Sequence, residues 1–583
     1  MDDLRARIGR PYRRPLDDNR YHQQRQELGR VRAEACRQSF SRFGQFEQQE
    51  LLSVGGFGVV IKYAQADAQG RFLRHFVAKI PKETEGPPGT TNITMFQSEY
   101  IWNLRFMGLK HVPQLAWFNQ FPIGIPTGPG PFPPGNENFW LANSQYYLFM
   151  EYLPYGDLRE LLYKLNQRES VWPYQYAGIP ARLMWRIFLC LTRACIGLAW
   201  PRLTLEEASL MAFEPGNIIP KPETLEEIGP YAPTRIVHFD IDPSNVLIGH
   251  FQDSEPEHAV QPIFKLGDFG ISQEISTKYS RNALIRLQGS GKIGFRSPEQ
   301  ELGASLTPRG LFDPDINTYG VHTNIWGIGI TMFSLITKTR PPPIPKFASY
   351  PCTLQGQTAD SYGWFLAQDG ENVPYGVEAL YQTFPIELRQ LVARCMCIEP
   401  QHRPGLGYLL PAIQHYIAQG DALEAQGRSP PGESNADLER FCRDLILGNA
   451  SEASTEEDEE EEARDGLGPL PGVAVEAAAD AYRRSRSLSR SWITTNTATS
   501  TTSIIDQNPQ SSGQGVFVVA GGNDGANAMN MDQGQAQAAN GGSQASTIAY
   551  AQADAQQQQQ QQRQQGAWGS SVQDHPSQMD YWN

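Results

Sequence analysis

The chain has few cysteines, seven in 583 residues, and none of them forms a Cys-x-x-Cys pair. A disulfide framework or a zinc site is therefore not expected, and an intracellular, reducing location, cytoplasmic or nuclear, is favoured. The N-terminus lacks the apolar stretch of a signal peptide. The longest apolar helix candidate, Leu183 to Trp200, contains Arg186 and Arg193, so the pattern predicts a buried core helix and no membrane span.

Positive charge is also scarce, with 49 Lys and Arg against 63 Asp and Glu and a formal net charge of −14. This balance argues against broad electrostatic attraction to nucleic acid or to an anionic membrane. Part of the acidity is local, in the uninterrupted run from Glu456 to Glu462, which is typical of a solvated and disordered chain. Hydrophobic residues make up 40% of the chain, so a sizeable core can be buried.

Composition divides the chain into three parts. Residues 1–45 are rich in Arg and Gln and predict a flexible or helical N-terminal arm. Residues 46–418 begin with short apolar runs that predict an antiparallel sheet, and helical patterns dominate from about residue 157. Insertions are predicted at 122–137, 204–234 and 250–261. Residues 428–583 carry the acidic run, a Ser/Arg tract and a glutamine run, which predict a disordered low-complexity tail.

Two polar motifs carry the chemistry. Residues 238–245 are His-Phe-Asp-Ile-Asp-Pro-Ser-Asn, and residues 268–270 are Asp-Phe-Gly. Asp240, Asn245 and Asp268 supply the oxygen side chains that can orient a hydroxyl and hold magnesium. The motifs resemble the catalytic loop and the magnesium loop of the protein kinase family, and the resemblance covers residues 46–418, about two-thirds of the chain. The insertions favour a divergent subfamily, of fungal type by resemblance.

The resemblance implies an α+β, two-lobed protein-kinase-like fold. A small lobe of antiparallel sheet, about residues 46–152, is expected to join a larger helical lobe, about residues 153–418, with ATP between them. Asp240 is implied as the residue that orients the attacking hydroxyl. Asn245 and Asp268 are implied as the magnesium ligands.

The small lobe presents the remaining parts in the order that the resemblance requires. Residues 53–60, Ser-Val-Gly-Gly-Phe-Gly-Val-Val, resemble the glycine loop, although in isolation a plain hairpin turn is the better explanation of them. Lys79 lies in an apolar strand, and Glu99 on the following helix is its implied partner. Asn103 stands where kinases usually place an apolar residue.

The residues implied to contact ATP are Val54, Gly55, Gly56, Gly58, Val60, Ala78, Lys79, Glu151, Leu153, Asp157 and Leu247. Asp157 is also compatible with a helix cap.

A further segment favours a protein substrate over a small molecule. Residues 294–299, Gly-Phe-Arg-Ser-Pro-Glu, resemble the end of a kinase activation segment, in which Glu299 is expected to pair with Arg403. Small-molecule kinases share the Asp/Asn/Asp set but lack this segment. Asn324 stands where an Asp usually caps the catalytic loop.

The catalytic loop departs from the family pattern at two charged positions. Phe239 replaces an Arg that in many kinases grips a phosphate on the activation loop. Asp242 replaces a Lys that contacts the transferring phosphate, and Lys292 stands where Ser/Thr kinases usually have a Thr. The two charges look exchanged, so we expect Lys292 to pair with Asp242, to lie near Asp240 and to take part in catalysis.

The predicted function is transfer of the γ-phosphoryl group of ATP, with Mg²⁺, to Ser or Thr hydroxyls of protein substrates. The alternative is a pseudokinase scaffold that binds nucleotide and recruits partners through its tail. In a third interpretation, the tail carries the main function as an assembly segment, with a kinase attached to it. A tail that binds other proteins fits both of these alternatives.

Overall fold

The computed structural model of the protein describes residues 10–12, 20–40, 45–55, 58–81, 91–116, 147–168, 178–204, 206–208, 218–228, 231–252, 255–301, 318–344, 349–354, 356–368 and 383–447. Gly56 of the predicted glycine loop, the predicted insertion at 122–137 and residues 448–583 lie outside the described residues.

The described secondary structure is numbered in chain order. The strands are β1 (Arg10–Pro11), β2 (Phe46–Val54), β3 (Gly58–Ala66), β4 (Phe72–Pro81), β5 (Leu148–Glu151), β6 (Ile236–Val237), β7 (Val246–Ile248), β8 (Phe264–Leu266), β9 (Gln273–Glu274), β10 (Thr339–Arg340), β11 (Tyr350–Leu354) and β12 (Gln357–Ser361). The α-helices are α1 (Arg20–Phe40), α2 (Thr91–Arg105), α3 (Leu158–Arg168), α4 (Ala181–Ala199), α5 (Arg281–Arg286), α6 (Pro298–Glu301), α7 (Val321–Thr337), α8 (Ile386–Cys395), α9 (Leu406–Ala425) and α10 (Asn435–Phe441).

The small lobe is an antiparallel sheet in the order β2-β3-β4-β5, accompanied by helix α2. Strand β3 alternates as a half-buried strand should, because Val59, Ile61 and Tyr63 are buried while Val60 and Lys62 are partly exposed. Strand β4 becomes continuously buried from Phe76 onward, where it lies between β3 and β5. The expected small lobe of antiparallel sheet is confirmed.

The predicted N-terminal arm includes a helix that packs on this sheet. Helix α1 presents Gly29, Ala33 and Cys36 to the small lobe, and a Cβ added at Gly29 would stand 2.3 Å from a methyl carbon of Val54. The hydroxyl of Tyr63 donates to the Cys36 sulfur at 3.1 Å. Small side chains allow this close approach. The helix therefore packs on the sheet without the large apolar residues by which a core helix is usually recognised in a sequence.

The large lobe is helical and is organised around α4. Every residue of α4 after Ala181 is buried, and the helix packs against α7 and α9. Arg182 and Arg186 both reach Asp421 on α9, with nitrogen–oxygen distances of 2.6 and 2.5 Å. The predicted buried core helix is therefore present, and the two-lobed fold is confirmed. Among the described helices, none has the length and apolarity that crossing a bilayer requires.

The predicted start of the disordered tail at residue 428 is wrong. Helix α10 begins after Ser434, whose hydroxyl accepts from the N–H of Asp437, and it continues as a π-helical turn from Cys442 to Leu447. Phe441 and Leu445 in this segment are completely buried in the large-lobe core. The apolar pattern of the segment is short, and the low-complexity composition of residues 448–583 conceals it in any long sequence window.

The same segment completes helix α4. Pro180 precedes α4 and offers no side-chain cap, so the first N–H groups of the helix need another acceptor. Glu433 provides it, because its two carboxylate oxygens accept from the N–H groups of Ala181 at 2.6 Å and Arg182 at 2.8 Å.

We expect Leu445→Ala to lower the free energy of unfolding by about 2–5 kcal/mol, because it leaves a cavity in the large-lobe core. Leu73→Ala is the matched control, since Leu73 is 54% exposed and its loss should change stability by no more than about 0.5 kcal/mol. Denaturant unfolding of both variants measures the difference. Equal stability of the two would show that residues 428–447 do not belong to the folded lobe.

Candidate active site

The catalytic loop is fixed at its start by Asn324 on α7. The side-chain carbonyl of Asn324 accepts from the N–H of His238 at 3.0 Å, and its amide donates to the carbonyl of Ile236 at 2.9 Å. An aspartate has no donor for the second bond, so Asn is suited to this place without the charge. Burial lowers the pKa of His238 to about 4, and the neutral ring bonds the Gly267 carbonyl through Nε2 at 3.0 Å.

Asp240 is held from two sides. One carboxylate oxygen accepts the backbone N–H of Lys292 at 3.1 Å, and the other accepts the amide of Asn245 at 2.7 Å. Burial raises the pKa of Asp240 to about 6, against the opposing effect of the Lys292 ammonium. The carboxylate therefore has a fixed orientation and is a stronger base than an exposed aspartate.

The Lys292 ammonium lies among three side chains of the catalytic loop. Its Nζ is 2.8 Å from Asp242 Oδ2, 2.6 Å from Ser244 Oγ and 3.5 Å from Asp240 Oδ2. Burial opposes ionisation of Asp242, but Lys292 and the hydrogen bonds from Ser244 outweigh it and lower the pKa of Asp242. Burial also opposes the charge on Lys292, but the two carboxylates raise its pKa. The structure thus places Lys292 and Asp242 in an ion pair beside Asp240.

Two residues of this arrangement were not predicted from the sequence. Ser244 donates both its N–H and its hydroxyl to Asp242, at 2.8 and 2.7 Å, so that Asp242 also caps the turn Pro243–Asn245. Gly291 has a φ of +82°, and a Cβ there would stand 2.0 Å from the carbonyl oxygen of Phe239. Only glycine allows the activation segment to come this close to the catalytic loop.

Lys79 joins the two lobes. Its Nζ lies 2.8 Å from both carboxylate oxygens of Glu99 and 3.1 Å from Asp268 Oδ1. Burial would lower the pKa of Lys79, but the charges of Asp268 and Glu99 raise it. Burial would raise the pKa of Asp268, but Lys79 lowers it, so Asp268 is an ionised carboxylate at neutral pH.

Helix α2 is supported by aromatic packing. Phe269 is completely buried, with its ring centroid 4.9 Å from those of both His238 and Phe106. Asn103, which stands at the usual apolar position, is also buried and donates its amide to the Glu99 carbonyl at 2.8 Å. Phe106, which was not predicted from the sequence, therefore supplies the apolar support that Asn103 does not. A signal was available, because Phe106 lies seven residues after Glu99 and so on the same helical face.

Phe239 lies in an apolar cluster in place of the missing arginine. It has a φ of +66°, is buried, and meets Tyr319 edge to face at 5.4 Å between ring centroids. We name this group the activation-segment cluster; its buried members are Val237, Phe239, Ile275, Leu284, Leu287 and Tyr319. Three of them belong to residues 275–287, so apolar contacts hold that part of the activation segment to the catalytic loop.

The end of the activation segment is anchored by a buried ion pair. Arg403 donates to both oxygens of Glu299, at 3.0 and 2.8 Å. The expected pairing of these two residues is present. Trp326 of α7 donates its indole N–H to the Phe295 carbonyl at 3.0 Å, which fixes the same segment to the large lobe.

Among the residues predicted to contact the nucleotide, those that the structure describes come from the sheet of the small lobe, from the link between the lobes and from the large lobe. In the β3–β4 ladder, Val60 is opposite Lys79. Leu247 pairs with Asp157 across the link between the lobes. Asp157 accepts the N–H of Glu160 at 2.8 Å and so caps α3, which agrees with its alternative interpretation. Burial raises the pKa of Asp157 to about 6.

The remaining predicted contacts are placed as follows. Ala78 is completely buried beside Phe149 in the β4–β5 ladder. Glu151 donates its N–H to the Gln114 carbonyl at 2.9 Å, and its carboxylate accepts from the Lys265 ammonium at 2.5 Å. Leu153 lies two residues further on, in the link to the large lobe. At the tip of β2, next to Val54, the N–H of Gly55 bonds the Gly58 carbonyl at 2.7 Å. Their roles toward ATP stay predictions.

Asn245 and Asp268 fit a divalent oxygen-binding cation. The amide of Asn245 donates to Asp240, so its carbonyl oxygen is the atom suited to a metal, and Asp268 supplies an ionised carboxylate. Amide and carboxylate oxygens are the ligands that magnesium takes from proteins, usually together with substrate phosphates and water.

Comparison with known proteins agrees with this geometry. A family model described as the protein kinase domain matches residues 232–416. The chain is 25% identical over 201 residues to a mitogen-activated protein kinase kinase kinase of Drosophila melanogaster, covering 33% of this chain and 14% of that protein. It is 24% identical over 269 residues to the G2-specific protein kinase nimA of Emericella nidulans, covering 46% of this chain and 30% of that protein.

A solved structure of the CAK complex from Chaetomium thermophilum bound to ATP-gamma-S contains a similar chain. It is 18% identical, with a TM-score of 0.38, and the match covers 64% of this chain and 92% of that one.

The catalytic loop, the magnesium loop and the sequence matches point to the same class of protein. Residues 232–416 match the protein kinase domain, and the chain is similar to two curated protein kinases at 24–25% identity. The similarity to the relative from Emericella nidulans is in line with the expected divergent, fungal type. The chain spans less than a third of the length of either curated relative.

Proposed function

We propose that the protein is an ATP- and Mg²⁺-dependent kinase that phosphorylates Ser or Thr hydroxyls of protein substrates. The observation that carries the proposal is the assembled set of charges: Lys79 paired with Glu99 beside Asp268, and Asp240 oriented by Lys292 and Asn245. Catalysis of phosphoryl transfer rests mainly on such positioning and electrostatic stabilisation.

In the proposed reaction, Asp240 orients the substrate hydroxyl and accepts its proton. The hydroxyl oxygen forms a bond to the γ-phosphorus while the bond to the leaving ADP oxygen breaks. Lys79 holds the α and β phosphates, and Lys292 stabilises the charge near Asp240. Magnesium held by Asn245 and Asp268 would neutralise phosphate charge when bound.

Preference for a protein hydroxyl is supported by the activation segment. Its end is anchored through Glu299 and Arg403, and an anchored segment of this kind would offer a surface for a substrate chain. Ser/Thr specificity rests on exclusion, because neither Asp242 nor Lys292 matches the tyrosine-kinase pattern.

The buried state of all seven cysteine thiols supports the proposed reducing, intracellular location.

Transfer of radiolabel from γ-labelled ATP to a peptide library with Ser, Thr or Tyr acceptors tests the function. We expect label on Ser and Thr peptides, and a loss of about 100-fold or more in Asp268→Ala. Asp360→Ala, which removes an exposed carboxylate on β12, is the matched control and should keep full activity. A wild-type signal no higher than that of Asp268→Ala would instead indicate a nucleotide-binding scaffold.

We expect Lys292→Ala to lose activity while ATP binding survives. A carboxylate about 5 Å from the transferring phosphate costs about 3 kcal/mol at an effective dielectric constant of about 20, and removal of Lys292 leaves Asp242 without its partner. The expected loss in kcat is about 100-fold. Lys278→Ala, which removes an exposed lysine on the same segment, is the control.

A double variant separates charge exchange from simple damage. Asp242→Lys combined with Lys292→Thr restores the usual family arrangement, and we expect it to be more active than Lys292→Ala. Unchanged turnover in Lys292→Ala would contradict a catalytic role for Lys292.

We expect kinase activity to survive phosphatase treatment. The activation-segment cluster holds the segment through Phe239 and Tyr319, so a phosphate gripped by an arginine is not needed at that position. Activity is measured on the same preparation before and after treatment, with loss of phosphate checked by mass spectrometry. Loss of activity on dephosphorylation would refute this mode of stabilisation.

A further inference from the structure

A second group of side chains that could ligate a metal is buried in the protein, and none of its members belongs to the predicted nucleotide site. It consists of His111 in the loop after α2, Cys190 on α4 and His258 in the short 3₁₀ turn Pro256–His258. One ligand atom from each lies within 4.8 Å of the other two. Each residue is at most 1% exposed.

The histidines of this group have unmet hydrogen-bonding capacity. Among the described residues, neither ring nitrogen of His258 has a partner, and neither does Nε2 of His111. Burying a polar nitrogen without a partner costs about 1–3 kcal/mol. Unpaired nitrogens on two neighbouring buried rings call for a ligand that satisfies both rings together.

His111 is already oriented as a metal ligand. Its Nδ1 lies 2.5 Å from Oε2 of Glu223, and its backbone N–H donates to Oε1 of the same side chain at 3.2 Å. A carboxylate on one ring nitrogen fixes the ring and leaves the other nitrogen for a metal, which is the usual second-sphere arrangement at zinc-binding histidines.

We propose that His111, Cys190 and His258 bind one Zn²⁺ ion. Two imidazoles and one thiolate are ligands that zinc takes in tetrahedral sites, and water would take the fourth position. Zinc bonds of about 2.0–2.3 Å require ligand atoms roughly 3.3–3.7 Å apart, so small side-chain rotations close the site.

The charges around the group are compatible with a divalent cation. Three cations lie near it, and each is paired with a carboxylate: Lys110 with Glu255, Arg193 with Glu257, and Arg186 with Asp421, which Arg182 shares. The thiolate of Cys190 and the carboxylate of Glu223 would then offset the two charges of zinc.

A coordinating metal deprotonates a thiol outright, so Cys190 would bind zinc as a thiolate.

The site explains how two insertions attach to the kinase core. Glu223 belongs to the insertion predicted at 204–234, and His258 belongs to the one at 250–261. The first insertion already contacts the loop that carries His111, where the N–H of Lys110 bonds the Lys221 carbonyl at 3.2 Å. Zinc would fasten the second insertion, through His258, to α4 and to the loop after α2, and the first insertion is joined to the same loop by the contact of Glu223 with His111.

Metal analysis of the full-length protein tests the proposal. Protein stripped with a chelator is reloaded with Zn²⁺ or Co²⁺ in the Asp268→Ala background, which weakens binding at the magnesium position. We expect about one zinc per chain, a rise in Tm on loading, and a thiolate-to-cobalt charge-transfer absorption band.

Variants identify the ligands. Cys190→Ala should abolish the cobalt band and the zinc-dependent rise in Tm, and Glu223→Gln should weaken zinc binding by about 10–100-fold. Cys195→Ala is the matched control, since Cys195 is equally buried on the same helix but lies outside the group. His258→Gln replaces Cys190→Ala if that variant does not fold.

Two results would overturn the zinc site. One is a zinc content below one ion per chain, with the same content in Cys190→Ala as in Cys195→Ala. The other is stoichiometric binding of a different metal with no effect of zinc on Tm.

Discussion

The arrangement of the active site depends on one buried cation between two carboxylates. Asp240 and Asp242 are two residues apart in a loop with little access to water, and without a counter-charge they would repel each other and a bound nucleotide. The ammonium of Lys292 meets both, and its backbone N–H also binds Asp240. This single side chain therefore couples the activation segment to the catalytic loop. In protein kinases the positive charge usually lies on the catalytic loop, at the position of Asp242, whereas here it lies on the activation segment.

Two other departures are compensated locally in the same way. The arginine missing at Phe239 is replaced by apolar contacts to Tyr319, and the apolar residue missing at Asn103 is replaced by Phe106 one turn later. In each case the constraint is kept while the chemistry that satisfies it changes. A divergent sequence can preserve the arrangement of the site in this way. Each loop or helix must be fixed in position, but different residues can supply the contact that fixes it.

Much of the fold could be predicted because kinase motifs are short, ordered along the chain and bounded by apolar strands. The pairing of Lys292 with Asp242 could be proposed because the unusual negative charge at position 242 is matched by an unusual positive charge at position 292. Ser244 and Gly291 could not, since their roles depend on how closely two distant segments approach. The group of His111, Cys190 and His258 was missed because its ligands are far apart in sequence, whereas the zinc motifs that a sequence reveals have closely spaced cysteines. The folded residues 428–447 were hidden by the low-complexity composition of residues 448–583.

The contact between Glu433 and helix α4 also bears on the order in which the protein is made. The carboxylate that accepts the first N–H groups of α4 is 252 residues downstream of Ala181. A ribosome releases the chain from its N-terminus, so the central helix of the large lobe emerges long before its capping group. Until Glu433 has emerged, these N–H groups have only water to bind. The large lobe can therefore reach its final stability only after residue 433 has been made, while the strands of the small lobe are complete much earlier.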